Sequence, residues 1–330
     1  MEQNHPIRFF AVEKITFIYI FITSITIIYL APALKNEAEL LIYRLLISIV
    51  IVFLAYFNSV KNLWIIRFGR FAFLGFLLSF WYPETFEINR VLPNCDYILA
   101  NWEQSIFGFQ PALLFSKNFQ QVWLSEIFNM GYFAYYPLII VSSIFFFFSS
   151  RQYFNYFFFT VMFAFFAYYL IFIYFATAGP QYYFSVIGID NVNAGIFPEI
   201  GLYFNYNQTL LPSTNESGFF FELVEKTQQV GERPTAAFPS SHVGITTLIM
   251  ILILKNKKYL VFGLLIPIYL ALVAATVYIQ AHYLIDVVGG LISAVLLYYL
   301  GTYIYKLFTK KYSGASELNA IFYKVSEKRE

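Results

Sequence analysis

Long apolar runs separated by short polar turns dominate this chain, and eight of them approach the length that crosses a bilayer as a helix, about 20 residues. They fall at residues 15–34, 40–57, 63–81, 127–148, 154–176, 240–254, 259–278 and 283–307, the sixth being the shortest. The pattern predicts an all-α fold, a polytopic transmembrane helix bundle of about eight spans. Composition agrees, with 59% hydrophobic and only 12% charged residues, far from the balance of a soluble globular chain. No small-residue cleavage site follows the first run, which therefore reads as a retained anchor.

Residues 83–126 hold too many polar and turn residues for a span and too many aromatics for a free loop. Apolar positions recur there at helical spacing, so helices lying in the membrane interface are expected. The first three spans are expected to carry no buried charge beyond Arg67 and Arg70, near a cytoplasmic end, where such side chains are expected to snorkel to the interface. The run Phe145 to Phe148 reads as lipid-facing bulk. Gly179 and Pro180 are expected to stop the fifth span. Residues 185–238 are mixed, and the Asn-x-Ser/Thr triplets at Asn207 and Asn215 read as chance matches. Tyr182, Tyr183 and Phe184, with Phe219 to Phe221, are rich enough in aromatics to form an apolar lid.

Charge sets the orientation. With a cytoplasmic N-terminus, fifteen of the 21 Lys and Arg residues fall on the cytoplasmic side, the KNKK turn at Lys255 to Lys258 among them. Lys35, Arg44, Arg90, Lys117, Lys226 and Arg233 fall on the other. Both termini are then cytoplasmic, and the opposite ends of the spans face the periplasm or an organelle lumen. A net charge of +2 makes no case for nucleic acid, and the single cysteine, Cys95, excludes an intramolecular disulfide and a thiolate metal cluster.

The chemistry concentrates between Arg233 and Asp286. Two of the three histidines lie there, His242 after a Pro-Ser-Ser turn and His282 four residues before Asp286, while His5 sits in the N-terminal tail. The four-residue spacing stacks His282 and Asp286 on one helix face. A helical hairpin of two spans separates the histidines and brings them to the same membrane face. His282, held in one tautomer by Asp286, has the equipment of a nucleophile, and His242 that of a general acid. The turn at Ser240 and Ser241 opens a helix whose free N–H groups and dipole favour an anion, and Arg233 is the natural phosphate partner. Two histidines without a dense carboxylate cluster offer few ligands to a catalytic metal, so no cofactor is expected.

These residues resemble the type 2 phosphatidic acid phosphatase superfamily, whose signature runs KxxxxxxRP, PSGH and SRxxxxxHxxxD. Pro239, Ser240 and His242 match the second element, with Ser241 in place of Gly. His282 and Asp286 match the third, although Ala275 and Thr276 stand where it has Ser-Arg. Lys226 and Arg233-Pro234 fit the first literally, only four residues before PSSH. Within the superfamily, FPSSH followed by VYIQAHYLIDVVGG is similar to the aureobasidin-sensitive inositol phosphorylceramide synthases and their bacterial relatives. Tyr278 and Tyr283 take the places of that branch's tyrosines, AGPQYYF resembles a Gly-Pro-Arg element with Gln181 for the arginine, and Asp96, Gly108 and Pro111 fit the same branch. The resemblance implies a six-helix phosphatase-like core, a site at the membrane interface, a phosphohistidine and no metal.

The chain is accordingly divided into N-terminal anchor spans (1–82), an exterior interfacial segment (83–126), a catalytic membrane core (127–309) and a cytoplasmic tail (310–330). The expected function is lipid phosphotransfer from a lipid phosphate donor to a lipid alcohol acceptor, with lipid phosphate hydrolysis as the alternative. Catalysis is assigned to His242, His282 and Asp286, phosphate binding to Arg233, Ser240 and Ser241, and substrate contact to Gln181, Lys226, Tyr278 and Tyr283. A reading of another class, a non-catalytic transporter or scaffold, calls for ionisable residues along a path through spans that are almost free of them. The absence of a convincing internal repeat also weakens it.

Overall fold

The computed structural model describes residues 7–61, 63–212 and 217–310. His5, the Asn215 triplet and the tail from residue 311 lie outside the described residues. Every described secondary-structure element is helical. Besides a 3-10 turn at Tyr203–Asn205, they are in chain order α1 (Ala11–Leu30), α2 (Glu37–Lys61), α3 (Trp64–Asn89), α4 (Asp96–Phe107), α5 (Pro111–Asn118), α6 (Val122–Phe133), α7 (Tyr135–Ser149), α8 (Arg151–Tyr174), α9 (Pro180–Ile187), α10 (Ile189–Asn193), α11 (Phe219–Gly231), α12 (Ser241–Lys255), α13 (Tyr259–Tyr278) and α14 (Leu284–Thr309).

Six of these are long and apolar enough to cross a membrane, and α6 with α7 makes a seventh if a 45° bend is allowed within one span. The expected span at 127–148 is thus broken. Pro137 explains the place, because its ring clashes with the carbonyl four residues back, at Phe133, where α6 ends. The eighth expected span is α12, apolar but only 15 residues long. α8 is the axis of the bundle. Its spanning window is 83% buried against 22% for that of α2, and it packs on α1, α3, α7, α12 and α14. A helix apolar on every side belongs inside, and Phe and Tyr fill just over half of α8.

Several expectations are corrected. Arg70 does not snorkel: it is buried and grips Glu13 of α1 through Nε at 2.7 Å and through Nη2. Nor are the spans free of ionisable residues, since Arg44 of α2 holds Glu84 of α3 with bonds of 2.6 and 2.9 Å, both side chains buried. Neither pair was visible from spacing, because the partners are 57 and 40 residues apart. Of the Phe145 to Phe148 run only Phe148 is strongly exposed. Phe146 and Phe147 pack inward on Phe157 and Phe154, with centroids 4.7 and 5.1 Å apart. Pro180 starts α9 as its first residue, the position where its missing N–H is harmless, while α8 has already ended at Tyr174.

α4 and α5 supply the expected helices between the third and fourth spans, although α3 runs on to Asn89. α4 turns Trp102 and Ile106 outward and buries Asp96 and Glu103 completely. Tyr183 and Phe184, expected in a lid, are instead the buried centre of a second core with Leu99, Ala100 and Tyr283.

Candidate active site

Three chain segments meet at one end of the bundle. Thr177 accepts from the backbone N–H of Ala237 at 3.0 Å through its carbonyl and from that of Phe238 at 3.0 Å through its hydroxyl. Gln181 N–H donates to the Gln280 carbonyl at 2.9 Å, and Ser240 N–H to the Asp286 carbonyl at 3.0 Å. Asp96 fixes the first of these segments, its carboxylate accepting from the N–H groups of Ala178 and Gly179 at 2.6 and 2.8 Å. Close approach makes two glycines necessary. A Cβ on Gly179, whose φ is +92°, would lie 2.4 Å from the Ala281 carbonyl oxygen, and one on Gly290 2.7 Å from that of Ser240.

This seam puts the two histidine rings in contact. His282 Nε2 is 3.4 Å from His242 Nδ1, and the centroids are 5.5 Å apart. His282 is 3% exposed. Its Nδ1 lies 2.9 Å from the Ala237 carbonyl and 3.4 Å from Asp286 Oδ2. The shorter contact is to an acceptor that cannot donate, so Nδ1 carries the proton and the Nε2 lone pair faces His242. Sequence spacing assigned the tautomer to Asp286. In the structure Ala237 sets it and Asp286 adds negative charge, while the same Oδ2 accepts Tyr283 N–H at 2.9 Å. Burial lowers the His282 pKa to about 4, against the opposing pull of the Ala237 carbonyl and the Glu232 charge.

His242, on the first turn of α12, stacks on Tyr132 with centroids 4.6 Å apart and lies 4.3 Å from the ring centroid of Tyr135. Ser240 caps the helix, its hydroxyl accepting Val243 N–H at 3.3 Å. The first-turn N–H groups at Ser241 and His242 thus point out of the helix end, on the turn that carries His242.

The remaining candidates separate. Arg233 bends back, Nη1 donating to the Glu232 carbonyl at 2.7 Å. Lys226 lies on the exposed side of α11 and pairs with Glu222 at 3.6 Å, so the literal first-element match makes no contact with the histidines. Tyr278 faces Phe115 and Phe128 and donates to the Phe119 carbonyl at 2.8 Å. Tyr283 is wholly buried against Phe184. Gln181 is buried and donates to Glu232 Oε1 at 2.7 Å.

Sequence reasoning missed the Ala237 carbonyl, the Tyr132 and Tyr135 platform, Glu232 and Glu103. Glu103 accepts Ile285 N–H at 3.1 Å, and burial pushes its pKa up to about 8. Among the described residues no three His, Cys, Asp or Glu side chains are grouped to hold a metal ion. Asp286, Glu103 and Glu232 each serve a local donor through one oxygen, while Asp286 Oδ1 and Glu103 Oε2 are buried without a partner.

A family model described as PAP2 superfamily matches residues 98–300. No curated protein and no solved structure matches the chain.

Proposed function

The chain belongs to the PAP2 superfamily, a membership that carries lipid phosphatase or phosphotransferase-type activity, and from that premise we propose a lipid phosphotransferase similar to the inositol phosphorylceramide synthases. One observation carries the reading. The proton on His282 Nδ1 is committed to Ala237, so its free lone pair on Nε2 points at the second histidine. Nε2 attacks phosphorus, the bond to the leaving oxygen breaks, and His242 delivers a proton to that oxygen. An alcohol then attacks the phosphohistidine, gives its proton to His242, and takes the phosphoryl group. Water in place of the alcohol gives hydrolysis.

A separation of 3.4 Å leaves no room for phosphorus between the two nitrogens. The productive complex therefore has the rings parted, with His242 sliding over the Tyr132 and Tyr135 faces. The α12 N-terminus, Ser241 and Arg233 receive the phosphoryl oxygens. Arg233 reaches them by leaving its Glu232 carbonyl.

The test uses purified protein, a lipid labelled in its phosphate, and a hydroxylated lipid such as ceramide or diacylglycerol. Acid-labile label on the protein, lost in His282→Ala and chased into the acceptor, is expected. Release of inorganic phosphate alone at saturating acceptor makes the protein a phosphatase, and an unlabelled, inactive protein removes the catalytic reading.

A further inference from the structure

Glu103 takes no part in the phosphoryl chemistry, yet it holds the turn on which that chemistry depends. It lies on α4, is wholly buried, and accepts the Ile285 N–H at 3.1 Å through Oε1, from 182 residues away in the chain. That bond falls on the first turn of α14, whose N-cap residue, Tyr283, makes no capping bond through its hydroxyl. A helix leaves its first N–H groups without intrahelical partners. Here two carboxyls divide them, Asp286 reaching back to Tyr283 N–H at 2.9 Å and Glu103 taking Ile285 N–H from another helix. Asp286 is thereby gripped on both sides, since its own carbonyl accepts Ser240 N–H at 3.0 Å. α4 is itself anchored, because Asp96 in its first turn binds the N–H groups of Ala178 and Gly179.

Burial decides the form in which Glu103 does this. Its Oε2 has no partner, and no Lys or Arg among the described residues pairs with it or with Asp286. An ionised carboxylate there would lack both water and counter-charge, so the group keeps its proton. The proton sits on Oε2, leaving Oε1 as the carbonyl that accepts Ile285 N–H. Burial, with the Asp286 charge adding to it, raises the pKa of Glu103 to about 8, and the titratable groups that bear on it are Asp286 and Tyr283. We propose that Glu103 is a positioning residue for the transfer, which in its protonated form caps α14 from α4 and so holds Asp286 in place beside His282. This rests on the phosphotransfer reading for the effect on turnover, and on the capping geometry alone for the effect on the His282 ring.

Glutamine reproduces the protonated form, an acceptor oxygen beside a neutral donor, and alanine removes both. Full-length wild-type, Glu103→Gln and Glu103→Ala proteins in a maltoside detergent are assayed with the phosphate-labelled lipid and a hydroxylated lipid acceptor. Glu103→Ala is expected to lower kcat about ten-fold or more with KM changed less than about three-fold, and Glu103→Gln to stay within about three-fold of wild type in both. The ratio of wild-type to Glu103→Gln kcat cancels the titration of His242, and it is expected to fall as pH rises through about 8. Magnetic resonance of the lipid-free proteins, labelled with nitrogen-15 histidine, reads the ring directly. The His282 Nδ1–H signal, from a nitrogen 3.4 Å from Asp286, is expected to move in Glu103→Ala and to stay in Glu103→Gln. Unchanged kcat in Glu103→Ala, equal losses in the two variants, a ratio level up to about pH 10, or an unmoved His282 signal overturns the proposal. The wild-type and Glu103→Gln profiles decide the matter even if Glu103→Ala does not fold. If the wild-type protein turns over no lipid while the His282 signal behaves as expected, the phosphotransfer reading falls and the positioning role stands. Turnover with kcat and signal alike in all three proteins does the reverse.

Discussion

The Ala237 carbonyl lies 2.9 Å from His282 Nδ1, closer than the 3.4 Å to Asp286 Oδ2, so a main-chain atom rather than a side chain fixes which nitrogen carries the proton. His282→Ala is therefore expected to abolish turnover, a loss of about 10^3-fold or more, with insertion and folding kept. Asp286→Asn, which keeps the tautomer but removes the charge, is expected to leave measurable activity. Steady-state kinetics on both purified variants checks this. Asp286→Asn as dead as His282→Ala would give the carboxylate the larger role.

The depressed pKa of His282 is expected to set the acid limb of activity. Above about pH 4 the ring is neutral and able to attack, so kcat/KM is expected to fall only near that value, well below the ordinary histidine range near 6.5. An acid limb near 6.5 would show a solvated ring.

Stability follows pH in two opposed ways. His282 is neutral in the fold, so the unfolded chain binds its proton first and stability is lost as pH falls from about 6.5 to about 4. Glu103, raised to about 8, retains its proton in the fold, so its contribution is lost as pH rises from the ordinary carboxyl range through 8. Glu103→Gln is expected to remove that alkaline loss and to change little at pH 5. Thermal unfolding in detergent at both pH values measures it.

The buried pair Arg44 and Glu84 ties α2 to α3. Glu84→Gln leaves a buried guanidinium without its counter-charge and is expected to cost about 3–5 kcal/mol, while replacing both by apolar residues of similar volume costs much less. A double-mutant cycle on unfolding midpoints tests the coupling. A cost below about 1 kcal/mol for Glu84→Gln would show that water reaches the pair.

We further expect the histidines to face away from the cytoplasm, on the basis of the lysine and arginine distribution. In a protein lacking Cys95, a cysteine at the exposed position of Thr209 should react with an impermeant thiol reagent in intact cells, and one at Lys255 should not. The reverse pattern inverts the topology.

Much of this architecture was legible because span length and helical hairpins are local properties. The location of every long helix, and the meeting of His242 with His282, follow from runs of apolar residues and one intervening hairpin. The break before Pro137 was readable in principle from the proline's clash with Phe133, but a run of apolar residues concealed it. What escaped were contacts between distant segments. Arg70 with Glu13, Glu103 with the start of α14, and the Ala237 carbonyl with His282 depend on which backbones meet, and a carbonyl leaves no residue type to notice.

The seam of main-chain bonds from Thr177 to Ala237 and from Gln181 to Gln280 has a mechanical consequence. Helices in a bilayer tilt to match its thickness, and a pair of reacting groups carried by separate helices would drift apart as they did so. Here the start of α12, which carries His242, is tied to the segment carrying His282 by this seam and by Ser240 N–H on the Asp286 carbonyl, so the plate they form holds the two rings together. Turnover in vesicles of short-, medium- and long-chain lipids is accordingly expected to change little, whereas Gly179→Ala, which forces the plate open at Ala281, should make the same enzyme sensitive to acyl-chain length.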